Sequence, residues 1–100
     1  MSNLDGKIIL ITGAAKGMGA TEAKMAVERG ATVILSDIIE GQLEATADSL
    51  DSAFSRLDVT SKDDWEKTIS QILDDHGRID GLVNNAGIFI QKTFLFDEFR

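Results

Sequence analysis

The sequence has 100 residues, enough for one domain of modest size, and its 43% hydrophobic content with interspersed charge is typical of a folded chain. Ten basic against 17 acidic residues give a net charge of −7, and because phosphate backbones would be repelled, nucleic acid is not expected as a partner. With no cysteine and one histidine, we expect no metal site. Because no apolar run approaches the roughly 20 residues of a membrane span and residues 1–5 do not form a signal sequence, we expect no membrane partner and a cytoplasmic location.

The first predicted strand covers residues 7–12 and leads into a glycine-rich turn. Its apolar run is continuous rather than alternating, as in a parallel strand buried on both faces. The glycines that follow lie at positions 13, 17 and 19, in the pattern T-G-x-x-x-G-x-G, before an alanine-rich helical segment. This order predicts an anion site, because the first helical turn leaves N–H groups unpaired and glycine lets a pyrophosphate approach. Taken alone, the same glycines also fit a simple turn before a helix.

The first helix begins near Gly17 and is expected to end in a left-handed cap at Gly30. The second strand covers residues 32–36, and Asp37 ends it. Asp37 lies 18 residues after Gly19, near the spacing of about 20 expected for an acidic residue that holds an adenosine ribose. Its other interpretation is a solvated carboxylate at a strand end. The helix residues expected to face the sheet are Ala20, Ala23, Ala26 and Val27.

The same alternation continues through the second helix, the third strand and the third helix. Residues 40–50 form a helix with Leu43, Ala47 and Leu50 on one face, and residues 53–57 form a short strand that leads into Asp58 and Val59. The third helix is capped by Thr60 or Ser61. We interpret its tryptophan as core and its histidine as a cation suited to the helix C-terminus. Its predicted buried stripe consists of Trp65, Ile69, Ile72, Leu73 and His76.

The fourth strand is predicted at residues 79–83, where it runs into Asn84-Asn85-Ala86-Gly87. Four short apolar strands that alternate with three helical segments indicate βαβ units and a parallel sheet. Right-handed crossovers then give the strand order 3-2-1-4. The glycine turn, Asp37, Asp58 and the 84–87 segment all fall at the carboxyl ends of strands. We therefore expect them to meet at one ligand crevice, between the first and fourth strands where the order reverses.

Three segments together resemble the short-chain dehydrogenase/reductase family. They are the loop from Thr12 to Gly19, the pair Asp58-Val59 and the segment from Asn84 to Gly87, and the resemblance covers nearly all of residues 5–90. It is nearest in look to the hydroxysteroid dehydrogenases of the family. The resemblance implies a three-layer αβα Rossmann-type fold, a nicotinamide cofactor, hydride transfer between an alcohol and a ketone, and a homo-oligomeric complete enzyme with a small-molecule substrate.

The resemblance also implies a role for each matching residue of the glycine loop. Gly13, Gly17 and Gly19 make room for the cofactor, and the amide of Met18 faces its pyrophosphate. Thr12 braces the loop against the segment that follows the fourth strand. These roles place the phosphates of the cofactor over the N-terminus of the first helix.

The remaining implied roles concern the two ends of the cofactor. Asp37 accepts hydrogen bonds from the adenosine ribose hydroxyls. Asp58 accepts one from the adenine amino group, and Val59 packs against the ring. The residues implied to line the crevice beside the nicotinamide ribose are Asn85, Ala86 and Gly87.

Charge at the end of the second strand predicts NAD rather than NADP. A 2′-phosphate about 4 Å from the Asp37 carboxylate costs on the order of 4 kcal/mol, roughly a thousandfold in affinity. Lys16 favours the opposite choice, because a basic residue there can accompany a 2′-phosphate in the family. A long, solvated lysine contributes only about 1 kcal/mol, however, and Ile38 supplies no second cation.

The catalytic half of the family's site has no counterpart in these residues. The family uses a serine and a Tyr-x-x-x-Lys pair for proton transfer, and this sequence contains no tyrosine. We therefore name no catalytic residue and expect one Rossmann domain over residues 1–100 that is the N-terminal, cofactor-binding part of a longer enzyme. Four phenylalanines in the last dozen residues suggest an apolar tail that needs a cover.

Two alternatives remain open. One is a non-catalytic dinucleotide-binding module or truncated product, and the other is a methyltransferase-like domain, which also pairs a glycine loop with an acidic residue after the second strand. The segment Asn84-Asn85-Ala86-Gly87 argues against the methyltransferase.

Overall fold

Strands and helices alternate along residues 3–85, which are the residues that the computed structural model describes. The strands are β1 (Ile8–Thr12), β2 (Thr32–Asp37), β3 (Ala53–Arg56) and β4 (Gly81–Asn84), and the helices are α1 (Gly17–Glu28), α2 (Glu40–Ser49) and α3 (Lys62–His76). The elements agree with the predicted order and type. Ala86, Gly87 and the predicted apolar tail lie outside the described residues.

The strands form one parallel sheet in the order β3-β2-β1-β4, which confirms the predicted topology. The central strand β1 pairs with β2 on one side and with β4 on the other, so its apolar residues are covered on both faces. Leu10 and Ile11 in β1 are 0% and 1% exposed. The continuous apolar run of β1 thus follows from its position at the centre of the sheet.

Two clusters of buried side chains pack on opposite faces of the sheet and give the predicted three layers. On one face, α1 and α2 contribute Ala23, Ala26, Leu43 and Ala47 to a core with β1 and β2. On the other face, α3 packs on the sheet, and its buried apolar side chains are Trp65, Ile69 and Ile72. The small side chains of α1 let that helix lie close to the sheet.

Strand β4 begins two residues later than predicted. The carboxylate of Asp80 accepts a hydrogen bond from the N–H of Ile8 at 2.8 Å, while the N–H of Asp80 donates to the Ile8 carbonyl at 2.7 Å. A side chain therefore takes the place of a ladder partner at residue 80, and regular pairing starts at Gly81.

The buried stripe of α3 differs from the predicted one at Leu73 and His76. Leu73 is 40% exposed, because it lies about 80° around the helix from Trp65. Thr68 is buried in its place, and its hydroxyl lies 3.2 Å from that of Ser55. His76 is exposed in the last helical turn, before a left-handed Gly77.

Other helix ends follow the predictions. Ser61, rather than Thr60, is the N-cap of α3, and its hydroxyl accepts from the N–H of Asp64 at 3.1 Å. Gly30 has a φ of 97° just after α1. None of the helices among residues 3–85 is long and apolar enough to cross a membrane.

Candidate functional site

A cavity of about 490 Å³ lies at the carboxyl ends of the strands. Its walls come from the loops that follow all four strands, as expected for a ligand site in a parallel sheet. The sequence predicts the crevice between the first and fourth strands, whereas this cavity extends toward β2 and β3, because residues 37–39 and 57–59 form its far wall. The residues that line it are Gly13, Lys16, Gly17, Asp37, Ile38, Ile39, Leu57, Asp58, Val59 and Asn85.

The glycine loop joins β1 to α1 in a conformation that glycine makes possible. Gly13 and Gly17 have φ values of 65° and 64°, in the left-handed region that side chains disfavour. At Gly19 the reason is space, since an added Cβ would lie 2.0 Å from the carbonyl oxygen of Gly13. The start of α1 therefore lies directly against the loop, with its first N–H groups near the cavity.

The carboxylate of Asp37 is held by main-chain N–H groups at the wall of the cavity. Its Oδ2 accepts from Ala15 at 3.0 Å, and its Oδ1 accepts from Ile38 at 2.7 Å and from Ile39 at 3.2 Å. Asp37 forms no ion pair with any residue in the described range 3–85. Its negative charge thus lies at the cavity wall without a paired cation among the described residues.

Asp58 is fixed in a similar way after β3. Its Oδ1 accepts from both the hydroxyl and the N–H of Thr60, at 2.6 and 2.9 Å. These two hydrogen bonds lower the pKa of Asp58, with a smaller contribution from Arg56, so the carboxylate is charged at neutral pH. The neighbouring Val59 is 9% exposed, and its carbonyl accepts from the indole N–H of Trp65 at 2.8 Å.

Thr12 connects the ends of β1 and β4. Its hydroxyl donates to Asn84 Oδ1 at 2.7 Å and accepts from the N–H of Asn85 at 3.1 Å. This is the contact that the family resemblance implies for Thr12. The segment after β4 therefore starts from a fixed point beside the cavity.

Lys16, Met18 and Ile38 are largely exposed at the predicted site. Lys16 lines the cavity and forms no ion pair within the described part of the chain. Ile38 lines it too and is 51% exposed, together with Ile39 at 45%. Met18 is 71% exposed in the first turn of α1 and is not among the lining residues. Ile38 and Ile39 therefore give the cavity an apolar edge on the side of β2.

Sequence reasoning misses two side chains that contact these loops. Glu22 of α1 accepts a hydrogen bond from the side-chain amide of Asn85. Thr46 of α2 donates to the carbonyl of Ala15 at 2.6 Å. A signal existed only for Thr46, which falls in the inward stripe of α2 between Leu43 and Ala47. Among residues 3–85 no group of three or more His, Cys, Asp or Glu side chains is arranged to hold a metal ion.

Comparison with known proteins gives a consistent result. A family model described as short chain dehydrogenase matches residues 7–100. Trans-4-hydroxycyclohexanecarboxylate dehydrogenase of Sinomonas cyclohexanicum is 36% identical over 98 residues, covering 87% of this chain and 38% of that protein. The 3-oxoacyl-(acyl-carrier-protein) reductase FabG of Vibrio harveyi is 47% identical over 88 residues, covering 86% and 36%.

Solved structures agree with the sequence relatives. The crystal structure of a short chain dehydrogenase from Mycobacterium smegmatis superimposes with a TM-score of 0.83 at 39% identity, over 88% of this chain and 40% of that one. The chain thus spans less than half the length of the relatives it matches. On the match of the family model, the relatives and the shared fold, the chain belongs to the short-chain dehydrogenase/reductase family.

Proposed function

We propose that this chain binds NAD in the cavity at the carboxyl ends of the strands, as the cofactor-binding part of an oxidoreductase that acts on an alcohol or ketone. The observation that carries the proposal is the cavity itself, because the glycine loop, Asp37 and Asp58 all line it. The family binds nicotinamide cofactors, and the relatives reported above carry the names dehydrogenase and reductase. Bound NAD would supply the hydride acceptor, and reduced NAD the hydride donor.

The glycine loop suits the pyrophosphate. Backbone N–H groups at the start of a helix carry partial positive charge and bind anions without a cationic side chain. The tight contact of Gly19 with Gly13 keeps the helix start close to β1, where a larger side chain would push it away. We assign Gly13, Gly17, Gly19 and the amide of Met18 to this part of the cofactor.

The β2 and β3 loops suit the adenosine. A carboxylate offers about four acceptor positions, and Asp37 uses three of them for main-chain N–H groups, which leaves acceptor capacity on Oδ2 for a ribose hydroxyl. Asp58 and Val59 lie on the neighbouring strand end, and Ile38 and Ile39 provide apolar contact for a ring. We assign Asn85, Ala86 and Gly87 to the side of the nicotinamide ribose, with Thr12 bracing this segment against the glycine loop. Ala86 and Gly87 lie outside the described residues.

The uncompensated charge of Asp37 favours NAD over NADP. Near a protein surface, a 2′-phosphate about 4 Å from the carboxylate would be disfavoured by on the order of 4 kcal/mol. Lys16 is too exposed to balance this, and Arg56, the strand neighbour of Asp37, is already paired with Glu40 and Asp64 at 3.7 and 3.5 Å. Neither Lys16 nor Arg56 therefore offsets the repulsion between the Asp37 carboxylate and a 2′-phosphate, and NAD is preferred.

The proton-transfer group of the reaction is not assigned to these 100 residues, since they contain no tyrosine. A cytoplasmic location, a small-molecule substrate and a homo-oligomeric complete enzyme accompany the proposal as expectations from the family. A likeness to hydroxysteroid dehydrogenases remains a prediction.

Titration of the 100-residue chain with NADH and with NADPH, followed by nicotinamide fluorescence, tests the proposal. We expect NADH to bind more tightly by a factor on the order of a thousand. Absence of NADH binding would contradict the proposed function, and tighter binding of NADPH would contradict the choice of NAD.

A further inference from the structure

Ala15, in the middle of the glycine loop, is held from two sides by other elements. Its N–H donates to Asp37 Oδ2 at 3.0 Å, and its carbonyl accepts from the Thr46 hydroxyl at 2.6 Å. Ala15 is 1% exposed. Both of its backbone polar groups are therefore fixed by side chains from β2 and α2 rather than by the loop itself.

The hydrogen bond of Thr46 is unusual for a threonine inside a helix. Such a hydroxyl commonly bonds to the carbonyl one turn earlier in its own helix. Here it reaches out of α2 to the loop, from a half-buried position next to Leu43 and Ala47, which are fully buried. Because that packing fixes this part of α2, the hydroxyl is a rigid anchor.

The anchor determines which way the Ala15–Lys16 peptide faces. In a trans peptide the carbonyl and the following N–H point in opposite directions, so a carbonyl bonded to Thr46 directs the N–H of Lys16 away from α2. The same hydrogen bond keeps the Ala15 carbonyl oxygen directed toward α2, so its partial negative charge does not repel an anion bound by the loop. Loss of the hydroxyl would free this peptide to rotate.

We propose that Thr46 is a positioning residue for the dinucleotide site, acting through Ala15 on the glycine loop and on Asp37. The inference rests on the proposed function, because its test measures the affinity of the chain for NADH. It adds a residue of the second helix that does not line the cavity to the groups that determine cofactor affinity. Because Asp37 and Thr46 hold the same residue, removal of either is expected to weaken the effect of the other.

The test compares variants that differ by one hydroxyl in the 100-residue chain. Thr46→Val removes the hydroxyl at nearly constant volume and is expected to weaken NADH binding about three- to tenfold, the value of one hydrogen bond. Thr46→Ser retains the hydroxyl and is expected to bind within about twofold of the unsubstituted chain. Ser49→Ala is the matched control, since it removes a hydroxyl one turn along α2 whose one partner within residues 3–85 is the Thr46 carbonyl.

Two further readouts separate positioning from general loss of structure. Hydrogen exchange at the Ala15 amide is expected to be faster in Thr46→Val than in Ser49→Ala, with thermal unfolding of both recorded in parallel. In the Asp37→Ala background, which removes the acceptor for the Ala15 N–H, Thr46→Val is expected to have a smaller effect on NADH affinity than alone. If the valine variant does not fold, Thr46→Ser against Thr46→Ala makes the same comparison.

The outcomes distinguish this inference from the proposed function. No NADH binding by the unsubstituted chain would overturn the proposed function and the positioning role with it. NADH binding that Thr46→Val leaves unchanged, or that Thr46→Ser fails to restore, would overturn the positioning role alone. Independent effects of Thr46→Val and Asp37→Ala would contradict the link through Ala15.

Discussion

The two ends of the parallel sheet hold their carboxylates in different ways. At the amino end, Asp80 is paired with Arg78 at 2.9 Å and accepts from the N–H of Ile8, while Arg78 also donates to the Gly6 carbonyl at 2.6 Å. At the carboxyl end, Asp37 is held by main-chain N–H groups alone among the described residues. The charge of Asp80 is balanced by the paired arginine, whereas no paired cation among the described residues balances the charge of Asp37.

This difference separates a structural role from a recognition role. The Arg78–Asp80 pair joins the starts of β1 and β4 and presents little net charge to a ligand. Asp37 is fixed equally well, but N–H dipoles do not cancel its charge, so it still repels a phosphate that approaches the cavity. The comparison predicts that removing the charge of Asp37, at the carboxyl end, alters the choice between NAD and NADP. Removing the charge of Asp80, at the amino end, should alter the stability of the fold instead.

The largest expected effect is on cofactor choice in Asp37→Asn. Loss of the negative charge removes the repulsion of about 4 kcal/mol, so the preference for NADH over NADPH should fall by up to roughly a thousandfold. The matched control is Asp80→Asn, the same chemical change at the other end of the sheet, which should leave the preference unchanged. Both ratios come from fluorescence titrations, and an equal loss of preference in the two variants would contradict the comparison.

The second effect concerns space in the glycine loop. In Gly19→Ala the new Cβ would lie 2.0 Å from the Gly13 carbonyl oxygen, so the backbone must move. We expect the free energy of unfolding to fall by about 2 to 3 kcal/mol and NADH binding to weaken more than tenfold.

Gly41→Ala is the control for that substitution. Gly41 lies in the first turn of α2, where an added Cβ would meet no other element within 4 Å, so the change should stabilise the chain by up to about 0.5 kcal/mol. Urea unfolding measures both variants. If the Gly19→Ala chain is as stable as the Gly41→Ala chain, the fold does not require the close approach of Gly19 to the Gly13 carbonyl.

The packing beneath the β3 loop gives a smaller effect. Trp65→Phe removes the indole N–H that donates to the buried carbonyl of Val59, and we expect a loss of about 2 kcal/mol of unfolding free energy. Leu73→Ala on the same helix should cost less than about 1 kcal/mol, because Leu73 is 40% exposed. Equal losses in the two variants would contradict the assignment of Trp65 to the core.

The smallest effect is a dependence of stability on acid pH at the amino end. The hydrogen bond from Arg78, followed by that from Ile8, lowers the pKa of Asp80. The unfolded chain therefore takes up the proton first, and the stabilisation present above about pH 4 is lost as the pH falls through the lower pKa of the folded state.

Asp80→Asn removes this titration, so its stability should change less than that of the unsubstituted chain below about pH 4. Asp74→Asn, at an exposed position in α3, is the matched control and should retain the full dependence. The measurement is urea unfolding at several pH values, and identical slopes for Asp80→Asn and the unsubstituted chain would be the contrary result.

The strand order followed from the right-handed crossover rule. Sequence periodicity and turn chemistry, which depend on neighbouring residues, were sufficient for the elements and for most of the core, except at Leu73 and His76 in α3. The left-handed glycines, the N-cap at Ser61 and the buried Trp65 are local features of this kind. Hydrogen bonds between elements were not predictable from these local patterns, and the contact of Thr12 was expected only from the family resemblance. The bond from Thr46 to Ala15 spans 31 residues, and its existence depends on how α2 lies against the loop.

The late start of β4 has the same origin, since the Asp80 carboxylate occupies a ladder position that only the folded sheet defines. At the candidate site, the sequence placed the glycines, Asp37 and Asp58 at the correct strand ends. It missed the three N–H groups that hold Asp37 and the extension of the cavity toward β3, because main-chain groups carry no signal in the sequence.

A crystal structure of the chain with NAD bound tests the central claim most directly. We expect the pyrophosphate over the start of α1 and an adenosine ribose hydroxyl within hydrogen-bond distance, about 2.5 to 3.0 Å, of the Asp37 carboxylate. A dinucleotide bound elsewhere, or an Asp37 side chain turned away from it, would contradict the account.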